Sequence, residues 1–372
     1  LLVAAHFGQR GFIALALPVR GAAMVLLFLA TLRLFFFARP VALDLATPLG
    51  RALLVLTVAI NATVAWRQRS PWLVLLALLM GCAAVIAINA GWFTVLAVPG
   101  LAAGAALAAH RGGWPAIGLA AIPLAYATYL TWAVGNPFRG GRFHYAVEPA
   151  AAPALLLVTM SLFAAGGLLR TQREHEDGAT NTAALLNCLL GYSVFLVHTA
   201  AAHPASFAAL HGTAFVALLG VASLFWLRER SRVSTFFYAM TAYAALSMAI
   251  VKMSPVPEVF VWLSLQSVVV VTTAIWFRSR LIVVANFLIY AGIVLGYMAV
   301  TKRETGICLG FGLVALTSAR ILNWQQDRLE LKTELMRNAY LLSAFIVFPY
   351  ALYHLVPVRF VALAWVGLAV GY

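Results

Sequence analysis

Few residues in this chain could do chemistry, and the densest group of them lies at residues 135–149, GNPFRGGRFHYAVEP. Arg139 and Arg142 bracket a Gly-Gly turn, so two guanidinium forks and the backbone N–H groups between them can approach a phosphate or carboxylate together. His144 or Glu148 could then act as acid or base, with Tyr145 beside them. The competing reading is a loop re-entering the membrane interface, with Phe138, Phe143 and Tyr145 at headgroup depth, and it is the one favoured here.

A second candidate group is imidazole. His144, His198, His203, His211 and His354 map to the same side of the membrane as that loop. His198 and His211 fall near facing ends of consecutive apolar runs, at similar depth, where a pair could serve a metal or a bis-histidine haem. No acid stands near them to orient the rings. Histidines satisfied by carbonyls or headgroups are therefore the preferred reading, and no cofactor is expected.

Other chemistries are poorly provided for. All eleven Asp and Glu lie in turns or within about one turn of an apolar run's end, which argues against a proton-coupled carrier and a carboxylate metal site. Cys82, Cys188 and Cys308 form no CxxC pair and read as buried structural thiols. There is no P-loop, nucleotide fingerprint, HExxH or nucleophile motif. Asn61, Asn187, Gln266 and Asn286 sit within apolar runs, where hydrogen bonds between helices explain them. The Gly100/Gly104 and Gly306/Gly310 spacings would allow close helix contact.

The elements that must position these residues are transmembrane helices. Of 372 residues, 64% are hydrophobic and only 10% charged, against roughly a quarter charged in a soluble domain. Continuous apolar runs read as helical spans, because in lipid each backbone polar group must be paired internally. Spans are expected at 21–37, 49–66, 71–90, 92–109, 114–134, 150–169, 180–202, 205–227, 234–251, 256–277, 281–299, 306–322, 339–357 and 358–372. The fold class is thus all-α: a polytopic helical bundle of about fourteen spans arranged as hairpins, within a single domain covering 1–372. The run 11–19 between Arg10 and Arg20 is too short to cross alone. The last run is short for a span, and the chain is expected to be part of a longer polypeptide.

The net charge of +14 is spread through the turns in ones and twos. That pattern fits the positive-inside rule better than a nucleic-acid surface, so no nucleic-acid partner is expected. Alternate turns carry 14 Lys and Arg on one side against 8 on the other. The first side is read as cytoplasmic, which puts the 135–149 loop outside. Residues 321–338, ILNWQQDRLELKTELMRN, read as a cytoplasmic amphipathic helix continuing from the preceding span, with Leu322, Leu329 and Met336 on its apolar stripe. It either packs on its own bundle or receives a partner subunit.

The stretches RQRSPWLVLLALL (67–79), HRGGWPAIGLAAIPLAYATYLTW (110–132) and FVWLSLQSVVVVTTAIWFRSRL (260–281) join Leu/Ala-rich spans through short Arg-rich turns flanked by Trp. In this the chain resembles the large multi-span bacterial membrane proteins grouped as a domain of unknown function. The resemblance extends over most of the chain. It implies a many-span bacterial membrane protein and supplies no catalytic residues.

The expectation is a multi-pass inner-membrane protein of structural or accessory role, with membrane lipids and other membrane subunits as partners. A lipid or amphiphile transporter is the alternative. An enzyme acting on an anionic or lipid-linked substrate at the outer face is a third reading, resting on the Arg/His loop.

Overall fold

The computed structural model describes residues 13–36, 43–140, 143–170, 177–229, 231–300, 306–325 and 334–371. These form helices α1 (Ile13–Phe36), α2 (Pro48–Arg67), α3 (Pro71–Ile88), α4 (Gly91–Gly112), α5 (Pro115–Ala133), α6 (Ala152–Arg170) and α7 (Gly178–Ala202). Then come α8 (Phe207–Glu229), α9 (Arg232–Met253), α10 (Glu258–Trp276), α11 (Arg280–Val300), α12 (Ile307–Trp324), α13 (Glu334–Leu355) and the short α14 (Val361–Gly371). Among the described residues, 13 of these helices are long and apolar enough to cross a membrane. The protein is a polytopic transmembrane helical bundle.

The helix starts follow local chemistry. Thr47 caps α2 by accepting from the Gly50 amide at 3.2 Å, and Ser70 caps α3 by accepting from Leu73 at 3.5 Å. Each is followed by a proline at the first helical position, where a missing N–H is harmless. Asp177 caps α7, and Ser231 caps α9.

The first helix departs from expectation. It runs from Ile13 through Pro18 and Arg20 as one helix, where the sequence suggested a break before residue 21. Arg20 donates a hydrogen bond to Gln68 in the turn between α2 and α3. That guanidinium thus reaches the polar turn while its helix continues, which removes the penalty that would stop a span there.

The helices fall into two compact units, Leu1–Pro204 and Ala205–Tyr372. In the first unit α3 packs on α2, α4 and α5, and α6 packs on α4 and α7. Gly166 on α6 meets Ala106 on α4, where an added Cβ would lie 2.8 Å from the alanine methyl. In the second unit α8 pairs with α9, α12 with α13, and α10 lies against α9, α11 and α12.

The mid-span amides hold neighbouring helices together. Asn61 donates to the Met24 carbonyl at 3.3 Å, and Asn187 to the Met160 carbonyl at 2.8 Å. Tyr126 donates to the Asn187 side-chain oxygen. Gln266 donates to the Tyr243 carbonyl at 2.9 Å. Asn286 donates to the Ser267 hydroxyl at 2.9 Å and to Tyr340 at 2.9 Å.

The glycine spacings do not behave as supposed. An added Cβ at Gly100, Gly104 or Gly310 would meet nothing within 4 Å. Gly166 and Gly191, where an added Cβ would meet a neighbour under 3 Å away, stand in no such spacing.

α12 ends at Trp324 and α13 begins at Glu334. The stripe residue Leu329 in the expected 321–338 helix lies outside the described residues. Leu322 is buried on α12, and Met336 is half-buried near the start of α13.

Candidate functional site

The 135–149 loop is anchored at both ends and open in the middle. Asn136 adopts a left-handed backbone (φ 49°) just past α5 and is fully buried. Its side-chain amide donates to the Ile86 carbonyl at 2.7 Å, which ties the loop's start to the end of α3. The Ala146 amide donates to the Ala133 carbonyl at 2.8 Å, folding the returning strand of chain back on α5. Pro149 is buried beside Gly91 at the start of α4. Between these anchors Phe138 and Phe143 are each 80% exposed, and His144, Tyr145 and Glu148 are exposed too.

Of the five residues proposed for an anion, Arg142 lies outside the described residues. Arg139 is described only in its backbone, within a 3-10 turn, Pro137–Arg139. The exposed aromatic pair suits a loop dipping into headgroups.

The imidazoles give a sharper result. α7 ends at Ala202, and the His203 amide donates to the Thr199 carbonyl at 3.0 Å. This closing turn folds the His203 ring back onto His198, with ring centroids 5.3 Å apart. Tyr129 and Trp132, three residues apart on one face of α5, border the same ring. Their centroids lie 5.6 and 6.1 Å from that of His198.

Tyr129 and His198 are each only 1% exposed. The Tyr129 hydroxyl, both nitrogens of His198 and Nε2 of His203 are buried, with no hydrogen-bond partner among the described residues. No carbonyl among the described residues satisfies His198. Compared with protein-family models, curated proteins and solved structures, the chain matches none.

Within the first unit, the imidazole that stands beside His198 is that of His203. His211 belongs to the second unit, fully buried with its ring 4.1 Å from Phe207 on its own helix. Among the described residues no three His, Cys, Asp or Glu side chains gather as a metal-binding group. The cluster's other members are a phenol and an indole, and the phenol, Tyr129, was not singled out by the sequence reasoning. The available signal was His203-Pro204 straight after an apolar run. Such a stop forces a turn at the run's end, and a turn can bring the fifth residue onward back over the first.

Two concavities bear on transport. A groove of about 180 Å³ runs between α2, α3, α4 and α5, lined by Trp66, Ala77, Gly100, Gly104 and Ile117 among others, and is mostly apolar. In the second unit a hollow of about 480 Å³ lies at the ends of α10 and α12, between Trp276, Arg278 and Trp324. Neither is a polar chamber at mid-span.

Proposed function

We propose that this is an inner-membrane protein of structural or accessory role, a helical subunit around which a larger membrane assembly is built. One observation carries the reading: all four mid-span amides spend their donor groups on bonds between helices. A carrier needs polar groups that face a pathway and exchange partners with cargo. Here those groups act as fasteners. The described acids support the same view: Asp44 and Glu148 lie in loops, Asp177, Glu258 and Glu334 at helix starts, and Glu229 at a helix end. The resemblance of its spans and Arg-rich turns to multi-span bacterial proteins would be consistent with an inner-membrane location.

The test is reconstitution of the full chain in liposomes containing fluorescent phospholipids. A structural subunit leaves the rate of lipid exchange between leaflets at that of protein-free vesicles. Exchange that rises in proportion to protein, and falls in an Asn286→Leu variant that remains folded, would replace this reading with the amphiphile-transport one.

A further inference from the structure

The groove between α2, α3, α4 and α5 has a definite depth in the membrane. Gly100, Gly104 and Ala108 line it at i, i+4 and i+8 of α4, and Arg111 follows on the same face one turn later. From Gly100 to Arg111 the helix rises about 16 Å, half of a hydrocarbon core about 30 Å thick. The groove therefore runs from mid-span to one membrane surface, the depth of a single leaflet. At its surface end it is lined by Trp66, Val74 and Ile117, each close to a terminus of its helix. At its deep end Val58 and Leu101 converge on Gly81 of α3, where an added Cβ would lie 3.7 and 2.8 Å from them.

The walls leave their space unfilled. Gly100 and Gly104 are exposed, and an added Cβ at either would meet nothing within 4 Å. Apolar walls without partner atoms forgo dispersion contacts. In a bilayer the atoms at hand to supply them are hydrocarbon.

The mouth is cationic. Arg67 and Arg69 stand at the turn joining α2 to α3, and Arg111 lies in the last turn of α4; all three are exposed. Arg20 reaches the same turn through its bond to Gln68. Neither turn, residues 67–70 or 110–114, contains an acid. Guanidinium forks suit phosphate oxygens, and basic pockets between transmembrane helices suit anionic headgroups.

We propose that the groove seats an acyl chain of one anionic phospholipid, with Arg111 and the arginines of the 67–70 turn holding its phosphate. Tail and headgroup match the apolar slot and the cationic mouth in the same order along the membrane normal. A partner helix could fill the slot, but nothing in an apolar span answers these arginines. The site lies at the end of the spans opposite the 135–149 loop, because α5 begins beside it at Pro115 and ends at that loop. A lipid held here is bound and not moved, so the proposal stands whether or not the structural reading of the protein holds.

The experiment is native mass spectrometry of the full chain in detergent, titrated with phosphatidylglycerol or with phosphatidylcholine of the same acyl chains. One phosphatidylglycerol per chain is expected, retained at least about 10-fold more tightly than phosphatidylcholine. Arg111→Gln weakens that retention by about 10-fold or more, the worth of one charge-assisted hydrogen bond, and narrows the preference between the two lipids. Gly104→Leu fills the groove without a clash and weakens retention of phosphatidylglycerol by a similar factor. Lys252→Gln, at an exposed cation of the second unit, leaves it unchanged.

Should Gly104→Leu fail to fold, the unaltered protein decides: phosphatidylglycerol must raise its unfolding temperature saturably, and phosphatidylcholine must not. Equal retention of the two lipids, or a folded Gly104→Leu variant that holds phosphatidylglycerol as tightly as the parent, means only ordinary surrounding lipid and overturns the proposal. A dimer in detergent that Gly104→Leu dissolves would give the groove to a second copy of the chain, and overturns it too.

Discussion

The Asn286 node offers the cleanest measurement of what holds the second unit together. Asn286 on α11 is 3% exposed and directs its two amide hydrogens at three acceptors: the Ser267 carbonyl at 3.1 Å, the Ser267 hydroxyl at 2.9 Å and the Tyr340 hydroxyl at 2.9 Å. It therefore ties α10, α11 and α13 at one point. Two hydrogens can make two full bonds, so the amide contributes two bonds' worth of energy, each averaging about 0.6 and reaching about 1.7 kcal/mol between membrane helices.

Asn286→Ala should then cost about 1–3 kcal/mol, with any cavity term added. Tyr340→Phe removes one acceptor and keeps the ring's packing on Phe287 and Tyr290, 5.0 and 5.5 Å away. Its cost should be about 0.6–1.7 kcal/mol. The double variant should be less destabilised than the sum of the two, with a coupling of about 0.6 kcal/mol or more. The assay is reversible unfolding in mixed detergent micelles, followed by circular dichroism for the four proteins. Additivity within about 0.3 kcal/mol would refute the claim that this bond fastens α11 to α13.

Two further outcomes test packing and topology. Gly166→Ala should destabilise the first unit by about 1–3 kcal/mol, because its methyl would press on the Ala106 methyl, whereas Gly100→Ala should stabilise it by about 0.5–1 kcal/mol through the chain's lost freedom; thermal unfolding of both variants decides. In intact cells, cysteine at Phe138 should react with a membrane-impermeant thiol reagent and cysteine at His110 only after permeabilisation, and the reverse pattern would invert the orientation.

Helix existence and most helix boundaries were legible in the sequence for reasons that are local. A bilayer admits little else for long apolar runs, and Thr47-Pro48 or Ser70-Pro71 announces a start within one dipeptide. Arg20 misled because its effect depends on Gln68, almost fifty residues away in the chain. The glycine spacings misled for a similar reason. Gly100 and Gly104 lie on one face of α4, but what stands opposite that face is a groove, and spacing alone carries no information about the neighbour. The amides were read correctly as helix fasteners, since in lipid a mid-span amide has few alternatives. The His198 cluster was missed because it joins α5 to a residue beyond the end of α7. Neither helical periodicity nor charge counting reports such a contact.

One wide turn of π-helix interrupts α7 at Asn187–Gly191, between ordinary helix on both sides. A π turn accommodates about one residue more than an α turn. Each α-helical residue advances the face by about 100°, so that one residue is a phase shift between the two halves of the span. Asn187 meets Met160 and Tyr126 in one phase, and His198 meets Tyr129 in the other. Without the wide turn, a straight α-helix anchored at Asn187 would carry His198 about 100° around the axis, away from α5. The helix therefore behaves as two segments spliced out of register, the first fastened to α5 and α6 through Asn187 and the second set against Tyr129 of α5 through His198. A single-residue deletion within 188–191 would restore the regular spiral and turn the His198–His203 pair away from Tyr129 and Trp132, although none of those four residues had been touched.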